Sequence, residues 1–431
     1  MASDTPASRS LPSASSAATA RLRLKPGHVQ PVWAGHPWIY AQAVAEMEGG
    51  ATAGDEVIVT DPRGQFLGRG FYSPKSAIVT RILTRDPAEH LDAAFFRDRL
   101  TRALQTREAL SLGPSHDTTG YRLVHAEGDS LSGLVVDRFN DALCIQFLTA
   151  GVRRREAMIL DILTDLTKCV AIYDRTPERF AKTEGFEPRR GLIRGSEVAD
   201  LTFKERGLKY SIPTSIGQKT GFYFDQRAVR ARVEALAKGR RVLDTYAFVG
   251  AFSMAAARGG ATEVISVDES PLASEIGVTC ARMNGLDQKI RFQRDDAKRV
   301  LQESHGKFDL VIVDPPRLSP SRRDRENALL HYSRLANLGA RATAPSGILV
   351  FCSCSAAIDA QTLARALATG AAKANRTAVI LERHFQGQDH PVPAAFDDGL
   401  YLKVFIARMD VRSAKHVVND DAPPSMIPPS L

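Results

Sequence analysis

The sequence predicts an α/β fold: a parallel sheet over 239–355, preceded by a small β-barrel at 21–86 and a compact α+β unit at 120–212. Three observations predict it. Within 239–355 the segments RRVLDT, EVISVDES, RFQRDDAKRV, FDLVIVDPP and GILVFCSCS follow in turn. All but the more polar third are β-branched runs ending in a polar or carboxylate-bearing turn, the mark of strands buried on both faces of a parallel sheet. Across 21–86, RLRL, DEVIVTD, FLGRGFY and AIVTRIL are short alternating runs divided by Gly/Pro turns, as in a small barrel. Over 120–212 the order strand, strand, helix, strand, strand indicates an α+β unit.

A chain of 431 residues has room for two or three such units. Hydrophobic content of 44% and charged content of 25% are ordinary, so a sizeable core is available. The formal net charge of +8 is compatible with a polyanionic partner but modest for this length. The five cysteines, Cys144, Cys169, Cys280, Cys352 and Cys354, are scattered and show no CxxC spacing. That argues against a metal site or a disulfide framework and fits a reducing compartment. No apolar run reaches the roughly 18 residues that span a bilayer.

Taken in order, residues 1–20 are rich in Ala, Ser and Thr, and bury too little to fold. With one Arg and one Asp, they do not read as a transit peptide. In the barrel, Trp38 and Tyr40 are either core anchors or aromatics on an RNA-facing surface among Arg63, Arg69 and Lys75. Residues 87–119 form a helical linker, with Asp92 as N-cap and Phe96, Leu100, Ala103 and Leu104 on one face. In the α+β unit a helix is expected from about Arg153 to Leu166. It opens on Arg153-Arg154-Arg155, a solvated face or a phosphate contact. Next, 216–227 (IGQKTGFYFDQR) is a Gly-bounded polar stretch leading into a helix at 225–236; it lacks the P-loop spacing. The catalytic unit is expected over 213–409, where AVILERHF and LYLKVFIARM complete a seven-stranded sheet, and 410–431 form a loose, Pro-rich tail.

In an open sheet of this kind, ligands bind beyond the carboxyl ends of the strands. Asp244, Asp268, Asp295, Asp296, Asp314 and Cys354 all fall at or just past such ends. Gly250 allows the turn after the first strand to approach a ligand. Asp268 is spaced to accept hydrogen bonds from a ribose, yet the G-x-G-x-x-G of NAD and FAD sites is missing. Asp295-Asp296 could meet an adenine amine. Each of these carboxylates could equally be a helix N-cap. Asp314-Pro315-Pro316 is a rigid extended turn that can aim a carboxylate at a flat group. Cys354, just past a strand end, is a candidate nucleophile; the alternative is inert packing.

These residues resemble those of the class I S-adenosylmethionine-dependent RNA methyltransferases that join a PUA domain, a small α+β middle domain and a Rossmann-like catalytic domain. The likeness is greatest to the bacterial 23S ribosomal RNA cytosine-5-methyltransferases. It covers roughly 21–409 and rests on GHPWIY, GRGFYSP, YRLVHAEGDSLSGLVVDR, GQKTGFYFDQR, VLDTYAFVGAFS, VISVDES, VDPPR, FCSCS, DHP and GLYLK. The resemblance implies S-adenosyl-L-methionine as cofactor, with Asp244, Tyr246 and Gly250 by its methionine part, Asp268 on the ribose, Asp296 by the adenine, and Gln226 and Arg227 lining the pocket. It implies that Cys354 adds to C6 of cytosine while Asp314 holds or protonates N3. It also implies an RNA partner, 23S ribosomal RNA, with Lys219, Arg317 and Arg322 as RNA contacts. A cytoplasmic location without membrane attachment follows, and a homodimer is compatible. Two departures stand out. No second Cys lies beside the Asp-Pro turn, and Leu318 stands where the family usually has Phe. Two other functions stay open: an N-methyltransferase acting on guanine or adenine, in which Cys354 only packs, and a non-catalytic RNA-binding assembly factor.

Overall fold

A computed structural model of the protein describes residues 19–216, 220–318, 325–355 and 358–412. The expected tails before residue 19 and after residue 412, together with Lys219 and Arg322, lie outside the described residues.

The short alternating runs near the N-terminus become β1 (Ala20–Leu24), β2 (Trp38–Tyr40), β3 (Val44–Glu48), β4 (Glu56–Thr60), β5 (Phe66–Tyr72) and β6 (Ile78–Thr84), with α1 (Val29–Trp33) after β1. They form one sheet, β2-β6-β5-β4-β1-β3, antiparallel except for the β1–β4 pair. Its apolar faces enclose Leu22, Leu24, Val32, Ile39, Val59 and Ile82. Trp38 is neither a core anchor nor a free surface. Its indole nitrogen donates to Glu127 at 2.8 Å, and its ring lies edge-on to Phe396 at 4.6 Å.

The linker helix α2 (Ala93–Ala109) is capped by Asp92, which accepts from Phe95 N, and buries Phe95, Phe96, Leu100 and Ala103. The middle unit then contains β7 (Gly120–His125), β8 (Leu134–Phe139), β9 (Ala142–Phe147), α3 (Ala150–Arg154), α4 (Glu156–Thr167), β10 (Ala171–Asp174), α5 (Glu178–Glu184) and β11 (Gly191–Gly195). The single helix expected over 153–166 is broken at Arg155. The break lets the three arginines serve three different partners. Arg153 pairs with Asp174 at 2.6 Å, Arg154 with Asp55 at 2.6 Å, and Arg155 stacks 3.9 Å above the Phe71 ring. Two of them thus tie the middle unit to the N-terminal sheet.

A hairpin, β12 (Asp200–Glu205) and β13 (Leu208–Pro213), leads to a 3-10 turn at Phe224–Gln226 and α6 (Arg227–Leu236). The remaining elements are β14 (Arg241–Thr245), α7 (Ala251–Arg258), β15 (Glu263–Asp268), α8 (Pro271–Met283), β16 (Ile290–Arg294), α9 (Ala297–Glu303), β17 (Phe308–Val313), α10 (Arg325–Ala342), β18 (Thr343–Ser353), α11 (Ala360–Lys373), β19 (Arg376–His384) and β20 (Lys403–Val411). The seven strands order as β16-β15-β14-β17-β18-β20-β19. The first five are parallel; β20 is antiparallel to both β18 and β19. One face packs on α6, α7, α8 and the hairpin, the other on α9, α10 and α11. Each fully buried Val, Ile or Leu in these layers contributes about 1.5–3 kcal/mol. A polar group left among them therefore carries a cost that something must offset.

The loop before β20 joins this unit to the middle one through Asp389, which has no exposed surface. Its carboxylate accepts from Arg227 Nη1 at 2.8 Å and from Arg122 N at 2.9 Å, and it contacts His390 Nδ1 at 3.1 Å; its carbonyl accepts from Arg107 Nη2 at 2.9 Å. Gly128 lies under this loop, where a Cβ would come 1.9 Å from Pro391 O. Burial opposes the charge on Asp389, but Arg227 and His390 hold its carboxyl well below the usual carboxylate range. Removing one partner of a buried charge cluster costs about 3–5 kcal/mol. Asp389→Ala should therefore lower the unfolding free energy read from a urea titration by that amount. A loss under about 1 kcal/mol would show that the node does not hold the units together.

Candidate active site

Strand parity builds the site. The strand order reverses between β14 and β17, where open α/β sheets bind ligands. Side chains alternate faces along a strand. Val242, Val264, Leu310, Ile312, Ile348 and Val350 all pack toward α6–α8, while their odd-numbered neighbours pack toward α9–α11. Asp244, Asp268, Asp314, Cys352 and Cys354 continue the first set to the strand ends. They therefore emerge on the side that carries the turn with Gln226.

Asp244 is fully buried. Its Oδ2 accepts from Ser253 N at 3.0 Å and Ser253 Oγ at 2.7 Å in the first turn of α7, while Oδ1 is buried with no partner. Burial, with the like charges of Asp314 and Asp268 adding to it, pushes the carboxyl up to about 7 although the Ser253 bonds pull it down. Asp268 accepts from Phe248 N at 2.8 Å and Ser270 N at 2.9 Å. A carboxylate has about four acceptor sites, so capacity remains on Asp268. Between these two acids the chain turns sharply: Tyr246 and Phe248, both non-glycine, hold φ of 59° and 51°. Such strain clusters at ligand clamps. Gly250 follows at φ 74°, and a Cβ there would lie 2.8 Å from the Phe292 ring. The packing of the turn on its own neighbours thus requires glycine here.

Asp296 caps α9 through Arg299 N at 2.8 Å and lies near the Tyr246 hydroxyl, which is buried without a partner. Asp295 bonds Arg299 instead, mainly for which reason its carboxyl falls to about 2. The capping role and the strand-end position are therefore both true of Asp296. Gln226 Nε2 donates to Asp314 Oδ2 at 3.0 Å, and its own Oε1 is buried and unpartnered. Arg227, expected in the same pocket, turns the other way: its guanidinium meets Asp389, Gly120 O at 2.6 Å and Glu205 at 3.3 Å. Arg317 is exposed at the mouth of the cleft. Leu318 packs against the apolar layer under α10 and α11.

The two neighbouring thiols differ. Cys352 is fully buried and interacts with Asp314 and Gln226; burial, with Asp314 adding, holds its thiol well above the ordinary value. Cys354, one pleat further out, is only half-buried. Tyr223, Tyr332 and Lys403 surround it. Tyr223 stands edge-on to Phe248 at 5.6 Å, and burial pushes its phenol up, with Asp314, Asp225, Cys354 and Asp268 all nearby. Tyr223, Phe248 and Lys403 are cleft residues that the sequence did not single out. The left-handed backbone at Tyr246 and Phe248 has no signal in the sequence, and Lys403 was visible only as the end of GLYLK. Among the described residues, no His, Cys, Asp and Glu cluster could hold a metal ion.

A family model of PUA-like domains matches residues 22–85, and one of S-adenosylmethionine-dependent methyltransferases matches 190–394. The chain is 36% identical over 394 residues to a ribosomal RNA large subunit methyltransferase I of Escherichia coli O157:H7, spanning 90% of this chain and 99% of that one. A protein of the same name from Erwinia tasmaniensis is 36% identical over 396 residues, spanning 91% and 100%. Among solved structures, a putative S-adenosylmethionine-dependent methyltransferase from Streptococcus mutans matches with a TM-score of 0.77 at 21% identity, over 90% of this chain and 99% of that one. A putative methyltransferase complexed with SAH matches at 0.78 and 20%, with the same coverage. These two likenesses show the fold.

S-adenosylmethionine fits the residues present. Its ammonium and sulfonium are cations, and the cleft gathers the carboxylates of Asp244, Asp268 and Asp314 together with two buried, unpartnered oxygens, Asp244 Oδ1 and Gln226 Oε1. A carboxyl raised to about 7 makes cofactor binding pH-dependent. The folded pKa lies above the unfolded one, so this group's contribution to stability is present at low pH and lost as pH rises toward 7. A cation binds the deprotonated form. Between pH 6 and pH 8 cofactor affinity should therefore rise about tenfold, and Asp244→Asn should abolish the dependence while weakening binding. Calorimetry at the two pH values checks this; equal affinities in the wild type would refute the role of Asp244.

Proposed function

Because this chain belongs to the S-adenosylmethionine-dependent ribosomal RNA large subunit methyltransferase I family, we propose that it methylates C5 of a cytosine in 23S ribosomal RNA through a covalent bond to Cys354. The observation that carries the proposal is the pair at the ends of β17 and β18. Asp314 and Cys354 share one face of the sheet, and Cys354 alone of the two strand-end thiols is accessible. An exocyclic amine needs no thiol, whereas C5 of cytosine becomes nucleophilic only once C6 is attacked.

In this reading the Cys354 thiolate forms a bond to C6, and the C5=C6 electron pair becomes available at C5. Asp314, oriented by Gln226, gives N3 a proton as charge develops there and takes it back when the sulfur leaves. When bound, S-adenosylmethionine supplies the electrophilic methyl group. Loss of the C5 proton to solvent water returns its electron pair to C5=C6 as the sulfur–C6 bond breaks, and the thiolate is restored. Tyr223 and Phe248 form an aromatic wall where the flat base can lie. The PUA-like unit and the basic residues Lys219, Arg317 and Arg322 supply further RNA contacts. Such a substrate places the protein in the cytoplasm.

Cys354→Ala should lower methyl transfer by about 10⁴-fold or more while leaving cofactor binding intact. RNA containing 5-fluorocytidine cannot lose the C5 substituent, so it should trap the wild type and Cys352→Ala as covalent adducts but not Cys354→Ala. Full transfer by Cys354→Ala, or nucleoside mass spectrometry that finds an N-methylated purine instead, would sink the cytosine-5 assignment.

A further inference from the structure

Lys403 opens β20, stands in register with Ser353 at the end of β18, and is 3% exposed. Its ammonium donates to Ser355 O at 2.7 Å and Tyr401 O at 2.9 Å. An ammonium carries three N–H groups, and these two neutral carbonyls do not balance its charge. The charged and titratable groups around it are Cys354, Asp359 and Arg317. Asp359 is engaged elsewhere: it caps α11 through Thr362 N at 2.7 Å and pairs with Arg325 at 2.9 Å, and its side chain is 58% exposed. Arg317 is exposed, so solvent screens its field, whereas that of Lys403 acts through protein. A buried cation without a carboxylate of its own, clamped to the peptide that follows a half-buried thiol, is arranged for an anion at that thiol. Burial lowers Lys403 to about 8, so it is still protonated at neutral pH.

We propose that Lys403 is the positioning residue that keeps Cys354 as a thiolate, its buried ammonium both fixing the 354–355 turn and offsetting the negative sulfur. The proposal rests on Cys354 being the nucleophile. Tyr223 and Tyr332 also lie near the sulfur, but burial keeps both phenols neutral; Cys352 is a neutral thiol; Asp314 opposes a thiolate. Lys403 is the buried cation in that set.

The test reads the sulfur directly, on the full chain and without RNA. Iodoacetamide alkylation of Cys354 is followed from pH 6 to 9.5 by peptide mass spectrometry, which separates it from the half-buried Cys169. The wild-type midpoint should lie below the usual cysteine value of about 8.5. In Lys403→Met it should rise by about one unit, and Lys403→Arg should recover most of that shift. The midpoint is the readout because the reactivity of the thiolate itself changes with its pKa. A wild-type midpoint at or above the usual value overturns the proposal whether or not either variant folds. So does an identical midpoint in wild type and a folded Lys403→Met. If instead Cys354→Ala still methylates RNA, the nucleophile assignment fails, and the alkylation midpoints stand as a separate measurement.

Discussion

The two-residue period of a strand is the constraint on which this site depends. A parallel sheet with helices on both faces needs apolar side chains on both sides of every strand, so the face of each strand-end residue is set by the core beneath it. Val242 commits Asp244, Ile312 commits Asp314, and Val350 commits Cys352 and Cys354 to the α6 side. A one-residue slip of β17 or β18 would send the carboxylate and the thiol to the α10 and α11 side, away from Gln226. The apolar core thus does more than stabilise the unit; it aims the polar groups.

A second constraint fixes what surrounds the cleft. Asp389 gathers Arg122, Arg227 and His390 around one buried carboxylate, while Arg107, itself fully buried, joins Asp129 at 2.8 Å to the Asp389 carbonyl. Trp38 adds a contact from the N-terminal sheet to Glu127 and Phe396. All three units therefore converge on the loop that precedes β20, the strand that carries Lys403. The same segment that orients the PUA-like unit also sets the groups behind Cys354.

The strands, their order of appearance and their carboxylate ends were legible in the sequence because burial on both faces leaves an unbroken apolar run, and because a strand end is marked by the first polar residue after it. Asp92 and Asp296 were legible as caps for the same local reason. What was not legible is pairing across the chain. Arg227 was a pocket residue by the resemblance alone; its partner Asp389 lies 162 positions away. Arg153, Arg154 and Arg155 looked like a solvated face or a phosphate site, and a break at Arg155 gives each its own partner instead. Trp38 was weighed as core or surface, when it belongs to a contact between units. The Phe292 ring that closes on Gly250 belongs to another strand and was likewise not legible.

The contrast between Cys352 and Cys354 shows how depth along a strand can separate two chemically identical groups. Both lie on the same face. Cys352 is flanked in the ladder by Val404 and sits beside the Asp314 carboxyl. Burial and a neighbouring negative charge both favour its neutral thiol, and a neutral thiol is a poor nucleophile. Cys354 has passed the end of the ladder, where the backbone carbonyl of the next residue is held by an ammonium rather than by a strand partner. A thiol moved from 354 to 352 would keep its face and lose its surroundings. The chemistry proposed for residue 354 therefore follows from where the ladder stops, and the ladder stops where Lys403 takes over its carbonyl.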